Sequence, residues 1–394
     1  MESAELRALL SPESMALLNS LPNYSSSADV VSLVSSLRKQ GHSPELVAAV
    51  LTQAKLRHKA ASKFGEFART MIFTEAGLEQ ATRLAVAAHH AGRCRRAGVT
   101  RVADLGCSIG ADALAFAGAE LSVLAVERDE VTAAIATFNL GAFPEVTVVH
   151  DDATTISLEG VDAVYLDPAR RTSGHSETRR VSASDYSPSL DFAFGLAERL
   201  PTGIKLGPGF DRDAIPTGCE AQWVSVDGDV VELGLWFGPL AQPGVTRSAL
   251  VLGREGVHLM NAAADSEDAP LGPLGRYLYE PDGAVIRARL IGDLARTLGG
   301  HMISESIAYI SAEEAQSTPF AACFEVLEEF PLDIKTIATE LKQRGIGTLE
   351  IKKRGVDIDP AEFRTKLKLK GKQNATLILT RVGERRVALL AQRV

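Results

Sequence analysis

The chain has 394 residues, 45% of them hydrophobic and 23% charged, which is enough for two or three domains with at least one large core. No apolar run approaches the roughly 20 residues that cross a bilayer, and the N-terminal residues lack the pattern of a signal peptide. These features exclude a membrane-spanning helix and favour a cytoplasmic protein. The four cysteines stand far apart without C-x-x-C spacing, which fits reduced thiols and predicts neither disulfides nor a metal site.

The net charge of −8 is unevenly distributed along the chain. Residues 335–394 hold 15 Lys and Arg against 6 Asp and Glu, a local balance of +9, so the remaining 334 residues carry −17. Such an asymmetry is typical of a module that faces a polyanion and is attached to an acidic body. A solvated helix face followed by a basic final strand would give the same count.

Residues 1–95 have the apolar spacing of helices. Apolar side chains recur at helical intervals through most of this stretch. The pair Ser43-Pro44 is typical of a helix start, with proline in the first turn. Thr74 is a predicted N-cap, from which a helix is expected to reach His89. We therefore expect an N-terminal helical domain.

The most informative stretch lies between a predicted strand and a predicted helix. The apolar segment Val99–Leu105 runs into Gly106 and Gly110 and then into the alanine-rich segment Ala111–Ala119. Glycines in such a strand–turn–helix unit let a ligand approach backbone N–H groups closely. The spacing D-x-G-x-x-x-G, which begins at Asp104, differs from the G-x-G-x-x-G of dinucleotide-binding sites. Taken alone, it would also fit a tight turn in another doubly wound domain.

Three further predicted strands each end in an acidic residue. They cover residues 121–126, 146–150 and 161–166, and they are followed by Glu127, by Asp151-Asp152 and by Asp167. An acid about 20 residues beyond the glycine turn, at the end of the second strand, is where such folds bind ribose hydroxyls. Ligands in open α/β sheets sit at the carboxyl ends of the strands, and all of these features fall there. The sequence therefore predicts a cofactor-binding parallel sheet.

The remaining elements are predicted from apolar alternation and turn residues. Strands are expected at 203–206, 220–226, 230–237, 348–353, 375–381 and 386–392, and helices at 333–344 and 360–367. The two strands around Asp227-Gly228-Asp229 are expected to form an antiparallel pair. The predicted domains are a helical domain at 1–95, the sheet domain at 96–245, a connecting α/β region at 246–330 and a basic α+β module at 331–394.

Six stretches of the chain match motifs of one known family: Lys63–Gly65, Phe73–Thr82, Asp104–Asp112, Leu166–Arg171, Lys352–Asp357 and Leu377–Arg381. In these motifs the chain resembles bacterial class I S-adenosylmethionine-dependent methyltransferases with a C-terminal THUMP-like domain. The glycine-rich motif is also similar to that of trimethylguanosine synthases, which methylate an RNA cap. The resemblance implies an α/β fold, with a Rossmann-like class I methyltransferase sheet, an N-terminal helical domain and a C-terminal α+β THUMP-like module.

The resemblance also implies that S-adenosylmethionine is the cofactor and that it binds at the strand ends. It assigns the methionine part to Asp104, Gly106, Ser108 and Gly110, the ribose to Glu127, and the adenine to Asp152 and Ala153. It further implies that Phe73 and Thr74 close the pocket from the helical domain.

The pair Asp167-Pro168 resembles the D/N-P-P-aromatic motif of amino-group methyltransferases, in which the acid and a proline carbonyl accept hydrogen bonds from the amine. The resemblance implies that Asp167, Pro168 and Arg170 are the catalytic residues. Ala169 replaces the second proline and Arg170 replaces the aromatic residue, so a guanidinium would stack on a base or bind a phosphate. Methylation of a pyrimidine carbon is disfavoured, because no cysteine directly follows the fifth strand.

The loop after Asp167 is unusually basic. It contains Arg170, Arg171, Arg179 and Arg180 around His175. A basic loop beside the reactive methyl group suits an anionic substrate, and together with the basic C-terminal module it predicts methylation of RNA at a nitrogen atom. Two other interpretations stay open. One is a methyltransferase of a protein or small metabolite, which the acidic total charge favours, and the other is a non-catalytic RNA-binding protein.

Overall fold

The computed structural model describes residues 1–21, 27–170 and 186–394. The basic loop singled out above, with Arg171, His175, Arg179 and Arg180, lies outside the described residues. Within these ranges, none of the helices combines the length and the apolarity that a membrane crossing requires. The chain divides into two compact units, Met1–Leu206 with Leu235–Ala241, and Gly207–Gly234 with Gln242–Val394.

The N-terminal part of the first unit is helical, as its apolar spacing predicts. Its helices are α1 (Ser3–Leu9), α2 (Pro12–Ser20), α3 (Ser27–Lys39), α4 (Pro44–Phe64), α5 (Glu75–Gln80) and α6 (Leu84–Arg96). The hydroxyl groups of Ser11 and Ser43 each accept a backbone N–H of the first turn of α2 and α4, and both helices begin with proline. The helix start predicted at Ser43-Pro44 is therefore confirmed.

The single helix predicted from Thr74 to His89 is wrong, because the structure breaks it at residues 81–83. Thr74 caps α5 as predicted, and its side chain accepts the backbone N–H of Gly77 at 3.0 Å. Ala81 and Arg83 then have extended ψ values of 136° and 134°. The break places the Thr82 side chain inside the unit, where it is 6% exposed.

Residues 101–262 form strands and helices in alternation, followed by two hairpins. In chain order they are β1 (Arg101–Leu105), α7 (Ala111–Gly118), β2 (Ser122–Glu127), α8 (Glu130–Leu140), β3 (Val146–His150), β4 (Ala163–Leu166), β5 (Ala169–Arg170), β6 (Tyr186–Ser187), α9 (Leu190–Ala197), β7 (Thr202–Leu206), β8 (Glu220–Val226), β9 (Asp229–Phe237), β10 (Arg247–Gly253) and β11 (Gly256–Ala262). The strands predicted from residue 99 to residue 237 are all present, with ends shifted by at most two residues.

The first unit is built around a parallel sheet with the strand order β7–β4–β1–β2–β3. Strand β1 pairs in parallel with β2 and β4, β2 with β3, and β4 with β7. From Val102 to Leu105, β1 is fully buried, as expected of a strand covered by helices on both faces. The strand order reverses between β1 and β4, and the carboxyl ends at such a point form the usual ligand crevice of an open α/β sheet.

The second unit contains two sets of strands. In the first, β8 pairs with β10 in parallel and β10 pairs with β11 in an antiparallel hairpin. Asp227 and Gly228, between β8 and β9, have φ values of 52° and 90°, which fit the tight turn predicted there.

The later elements are β12 (Tyr277–Pro281), α10 (Gly283–Arg287), α11 (Ile291–Thr297), β13 (His301–Met302), β14 (Ile310–Ala312), β15 (Ala321–Pro331), α12 (Ile334–Gln343), β16 (Ile346–Lys353), α13 (Pro360–Leu367), β17 (Gln373–Val382) and β18 (Arg385–Arg393).

The C-terminal strands form a separate seven-stranded sheet in the order β13–β14–β12–β15–β18–β17–β16. The two helices and three strands predicted within residues 331–394 are present in the predicted order. Helices α12 and α13 bury Ile337, Leu341 and Leu367 against the sheet, where Leu377 and Leu379 of β17 belong to the same core.

Candidate active site

The glycine turn between β1 and α7 is held in the left-handed region of backbone space. Gly106, Ser108 and Gly110 have φ values of 92°, 50° and 90°. A Cβ atom on Gly110 would lie 2.9 Å from Leu140 Cδ1, so this position excludes a side chain by space as well as by conformation. A Cβ atom on Gly106 would lie 3.8 Å from the backbone oxygen of Asp167. The turn therefore brings the ends of β1 and β4 together.

Glu127, at the end of β2, is bound directly to this turn. Its Oε2 accepts the backbone N–H of Ser108 at 3.0 Å, and its Oε1 accepts the N–H of Asp129 at 2.9 Å. The side chain is only half-buried, so lone pairs of both carboxylate oxygens remain available to a ligand. The structure thus brings together two residues that the sequence singled out separately.

Asp152 lies beyond the end of β3, two residues after His150, which pairs with Glu127 in the parallel register. Its Oδ1 accepts both the hydroxyl and the backbone N–H of Thr154, at 2.7 and 2.8 Å. These hydrogen bonds lower the pKa of Asp152 below its ordinary value. The next residue, Ala153, is buried. This arrangement fixes a carboxylate at the third strand end.

Phe73 and Thr74 lie on the segment that leads into α5. The Phe73 ring is fully buried, with its centroid 5.5 Å from that of Phe64, so its ring faces the protein core. Its backbone N–H and carbonyl both pair with the buried amide of Gln53. A Cβ atom on Gly77 would lie 2.7 Å from Ile109 Cγ2, which shows how closely α5 approaches the glycine turn.

Asp104, at the end of β1, has a carboxyl group that is 1% exposed. Its Oδ2 is buried and has no hydrogen-bond partner among the described residues. Burial raises the pKa of this carboxyl well above its ordinary value, and the neighbouring acids Asp112 and Asp167 act in the same direction. A buried oxygen without a partner fits a ligand that brings a hydrogen-bond donor, such as the ammonium group of a methionine.

Asp167, at the end of β4, is bound by a residue that the sequence analysis did not single out. The ammonium of Lys205 on β7 donates to Asp167 Oδ2 and, at 2.9 Å, to Thr82 Oγ1. The side chains are 30% exposed for Asp167 and 13% exposed for Lys205. In the parallel register Leu166 pairs with Ile204, so the lysine and the acid are the next residues on each strand.

Beside this pair, a buried hydrogen-bond network runs toward α6 and α7. The Thr82 hydroxyl donates to Asp112 Oδ2 at 2.7 Å, and Asp112 Oδ1 lies 2.8 Å from His90 Nδ1. The Tyr165 hydroxyl lies 3.0 Å from the same ring nitrogen. Burial alone would raise the pKa of Asp112, but the hydrogen bond and charge of His90 lower it. The network connects Lys205 to the first turn of α7.

Pro168 is buried, and Ala169 and Arg170 form the short strand β5, in which Arg170 pairs with Tyr186 of β6. Of Arg170 the structure describes the backbone alone, so its predicted contact with a substrate stays a prediction. In residues 1–21, 27–170 and 186–394, no group of three or more His, Cys, Asp or Glu side chains is placed to hold a metal ion.

Comparisons with known proteins identify relatives of this chain. Residues 321–393 match a family described as THUMP domain-like, and residues 2–60 match a family described as a domain of unknown function. The chain is 33% identical over 340 residues to uncharacterised S-adenosylmethionine-dependent methyltransferases from two strains of Mycobacterium tuberculosis. These alignments cover 83% of this chain and 91% of each relative.

The fold is similar to that of a Porphyromonas gingivalis W83 protein, known from a crystal structure and assigned as a methyltransferase. The TM-score is 0.74 at 21% identity, and the match covers 99% of this chain and 97% of that one. The Rossmann-like methyltransferase fold with a THUMP-like C-terminal module, predicted from the sequence, is thus confirmed. By its relation to the mycobacterial proteins, the chain belongs to the family of S-adenosylmethionine-dependent methyltransferases.

Proposed function

We propose that this enzyme transfers a methyl group from S-adenosylmethionine to a nitrogen atom of RNA. The observation that carries the proposal is the ion pair between Asp167 and Lys205 beside the glycine turn. An acid at this strand end is suited to accept a hydrogen bond from an exocyclic amine, and the lysine holds its carboxylate in one orientation.

The residues of the crevice fit the cofactor. Gly106 and Gly110 give the turn its left-handed backbone, and the unpartnered oxygen of Asp104 would accept the ammonium group of the methionine part. Glu127 would accept the ribose hydroxyls, and Asp152 with Ala153 would hold the adenine. Thr74 would close the pocket, while the buried ring of Phe73 would hold this segment in place.

In the reaction, the protein must position the nucleophile and remove one proton. When bound, S-adenosylmethionine supplies a methyl group whose bond to sulfur breaks as its bond to the substrate nitrogen forms. Asp167 and the carbonyl of Pro168 would accept hydrogen bonds from the amine and turn its lone pair toward the methyl group. The Asp167 carboxylate would then accept the proton that the methylated nitrogen loses.

The charge of the C-terminal module supports RNA as the substrate. Between Phe363 and Gly383 the chain holds six cations and no acid. Five of them, Arg364, Lys366, Lys368, Lys370 and Lys372, are exposed at the end of α13 and in the segment before β17. Only Lys366 forms an ion pair among the described residues, with Glu362 at 2.5 Å. Such a run of exposed and mostly unpaired cations is suited to binding phosphates along a nucleic-acid strand.

The proposal is tested with the purified full chain, methyl-labelled S-adenosylmethionine and total RNA from cells that lack the gene. We expect label in RNA with the wild type and with Asp191→Asn, an exposed acid of α9 that serves as the matched control. Asp167→Asn should bind the cofactor in calorimetry but transfer no label. Digestion to nucleosides then identifies the nitrogen. Label in the protein or metabolite fraction instead of RNA would refute the proposed substrate.

A further inference from the structure

A cavity of about 310 Å³ lies in the first unit, beside the break between α5 and α6. It is lined by Lys59, Ser62, Lys63, Leu78, Glu79 and Arg83. Three of these side chains are cationic and one is acidic, so the lining has an excess of two positive charges. A local excess of this kind favours an anionic ligand.

The two lysines of the cavity play different parts. Lys63 Nζ donates to the backbone carbonyls of Leu78, Glu79 and Ala81 at 2.8, 2.8 and 2.9 Å, which uses all three of its protons. It can therefore offer a ligand its charge but no further hydrogen bond. Lys59 is 53% exposed and pairs with Glu79 at 3.3 Å, so it keeps two protons for a ligand.

Arg83 is the best-suited direct ligand. It is half-buried, and it has no hydrogen bond or ion pair among the described residues. A guanidinium presents parallel N–H donors that match two oxygens of one phosphate. Burial, together with the charges of Arg83, Lys205 and Lys59, lowers the pKa of Lys63 to about 8, while Glu79 opposes the shift. The cations thus destabilise one another, and a bound anion would relieve this repulsion.

The cavity is connected through Thr82 to the pair of Lys205 and Asp167. Arg83 directly follows Thr82, whose hydroxyl accepts a hydrogen bond from Lys205 at 2.9 Å. The same ammonium donates to Asp167. Ala81, whose carbonyl Lys63 binds, directly precedes Thr82. The break at residues 81–83 therefore joins the cationic cavity to the acid that would orient the amine.

We propose that this cavity binds a phosphate group of the substrate, and that this phosphate is adjacent to the nitrogen that is methylated. Arg83 and Lys59 would donate hydrogen bonds to the phosphate, and Lys63 would supply positive charge without a direct hydrogen bond. In RNA this would be the backbone phosphate flanking the target nucleotide, and in a small substrate it would be a phosphoryl group. The source of the phosphate rests on the proposed function, whereas the existence of the site does not.

The first test measures the binding of inorganic phosphate to the full chain by its effect on thermal unfolding, at constant ionic strength maintained with chloride. We expect phosphate to stabilise the wild type, and Arg83→Gln and Lys59→Gln to raise the apparent Kd at least tenfold. Arg69→Gln is the matched control, because Arg69 is 72% exposed, pairs with Glu66 and does not line the cavity. Equal phosphate affinity in all four proteins would overturn the proposal.

The second test separates the two sources of the phosphate. Labelled methyl transfer is measured with RNA and with a phosphate-containing small-molecule fraction, using wild type and Arg83→Gln. We expect KM to rise at least tenfold for the RNA, with a much smaller fall in kcat. Transfer to the small-molecule fraction alone, with the same KM effect, would refute RNA as the substrate but keep the phosphate site. An unchanged KM for every methylated substrate would overturn the site itself.

Discussion

The ammonium of Lys205 on β7 donates to the carboxylate of Asp167 at the end of β4. The two residues extend the parallel register of Leu166 with Ile204, so neighbouring strands place an acidic and a basic side chain at one point of the sheet edge. Because Lys205 also binds Thr82, it connects this edge to the helical part of the first unit. We infer that the lysine is a positioning residue for Asp167.

The first prediction concerns the removal of the positive charge of Lys205. Lys205→Met should lower kcat by about 10²-fold, because the Asp167 carboxylate loses the partner that holds it toward the amine. S-adenosylmethionine affinity should change by less than about threefold, because the ammonium donates to Asp167 and Thr82, and neither residue is assigned to the cofactor. Calorimetry for the cofactor and single-turnover methyl transfer measure the two effects separately.

Lys205→Arg and Lys55→Met complete this experiment. Arginine keeps the positive charge and should restore part of kcat, whereas a purely structural role of the lysine would show instead as a fall in thermal stability with parallel losses in both variants. Lys55 is an exposed residue of α4, and its substitution should leave kcat unchanged. A kcat in Lys205→Met equal to that of the wild type would show that Asp167 needs no positioning.

Part of the site could be predicted because its determinants are local in sequence. Gly106 and Gly110 indicate positive φ within a strand–turn–helix unit, and Glu127 and Asp167 directly follow apolar strands. The alternation of strands and helices predicts the order in which their ends meet. Lys205 was missed because one lysine near the end of an apolar strand has no meaning until that strand is aligned with β4.

The break at residues 81–83 could not be predicted, because distant residues cause it. The α5 carbonyls are bound by Lys63, which is 18 residues from Ala81, and the Thr82 hydroxyl is bound by Asp112, which is 30 residues away. Helix propensity alone favours continuation through this segment. Tertiary hydrogen bonds decide the conformation here, and they create the cavity that Arg83 lines.

The second prediction concerns the acid of the ribose site. Glu127→Ala should weaken S-adenosylmethionine binding by about 10-fold to 100-fold, since hydrogen bonds to a charged group contribute about 1.5–3 kcal/mol. The variant also frees the backbone N–H of Ser108, which loosens the glycine turn. Glu130→Ala, an exposed acid in the first turn of α8, is the matched control. Equal calorimetric affinities of the two variants would contradict the assignment of Glu127.

The third prediction concerns the backbone of the turn. Gly110→Ala should lower the free energy of unfolding by about 1–3 kcal/mol, because φ is 90° and the new Cβ would lie 2.9 Å from Leu140 Cδ1. Gly118→Ala is the control at the other end of α7, where a Cβ atom meets nothing within 4 Å. It should change stability by less than about 1 kcal/mol, in the stabilising direction. Urea unfolding compares the free energies of unfolding of the two variants. Similar destabilisation by both would show that the conformation of Gly110 does not require glycine.

The fourth prediction concerns the basic segment before β17. Replacing Arg364, Lys370 and Lys372 with glutamine should make the salt dependence of single-stranded RNA binding weaker. The slope of the logarithm of the association constant against the logarithm of the salt concentration should become about 2 less negative, since each phosphate contact contributes about 0.7. Fluorescence anisotropy at several salt concentrations measures the slope. The control neutralises the exposed residues Arg7, Lys39 and Lys55 in the first unit. An identical slope in both triple variants would show that the segment does not contact phosphates.

The fifth prediction is a pH dependence of anion binding in the cavity of Arg83. Burial, together with Arg83, Lys205 and Lys59, lowers the pKa of Lys63 to about 8, while Glu79 opposes the shift. A bound anion favours the charged ammonium, so binding must take up a proton where free Lys63 is neutral.

Sulfate is the suitable probe, because its charge is constant over the range from about pH 7 to about pH 9. Its affinity should fall severalfold as the pH rises through about 8, where Lys63 loses its charge. Calorimetry in two buffers with different heats of ionisation should detect proton uptake above that pH and little below it. Arg83→Gln should bind sulfate weakly at every pH. A wild-type affinity that does not change across this range would exclude Lys63 as the charge that faces the anion.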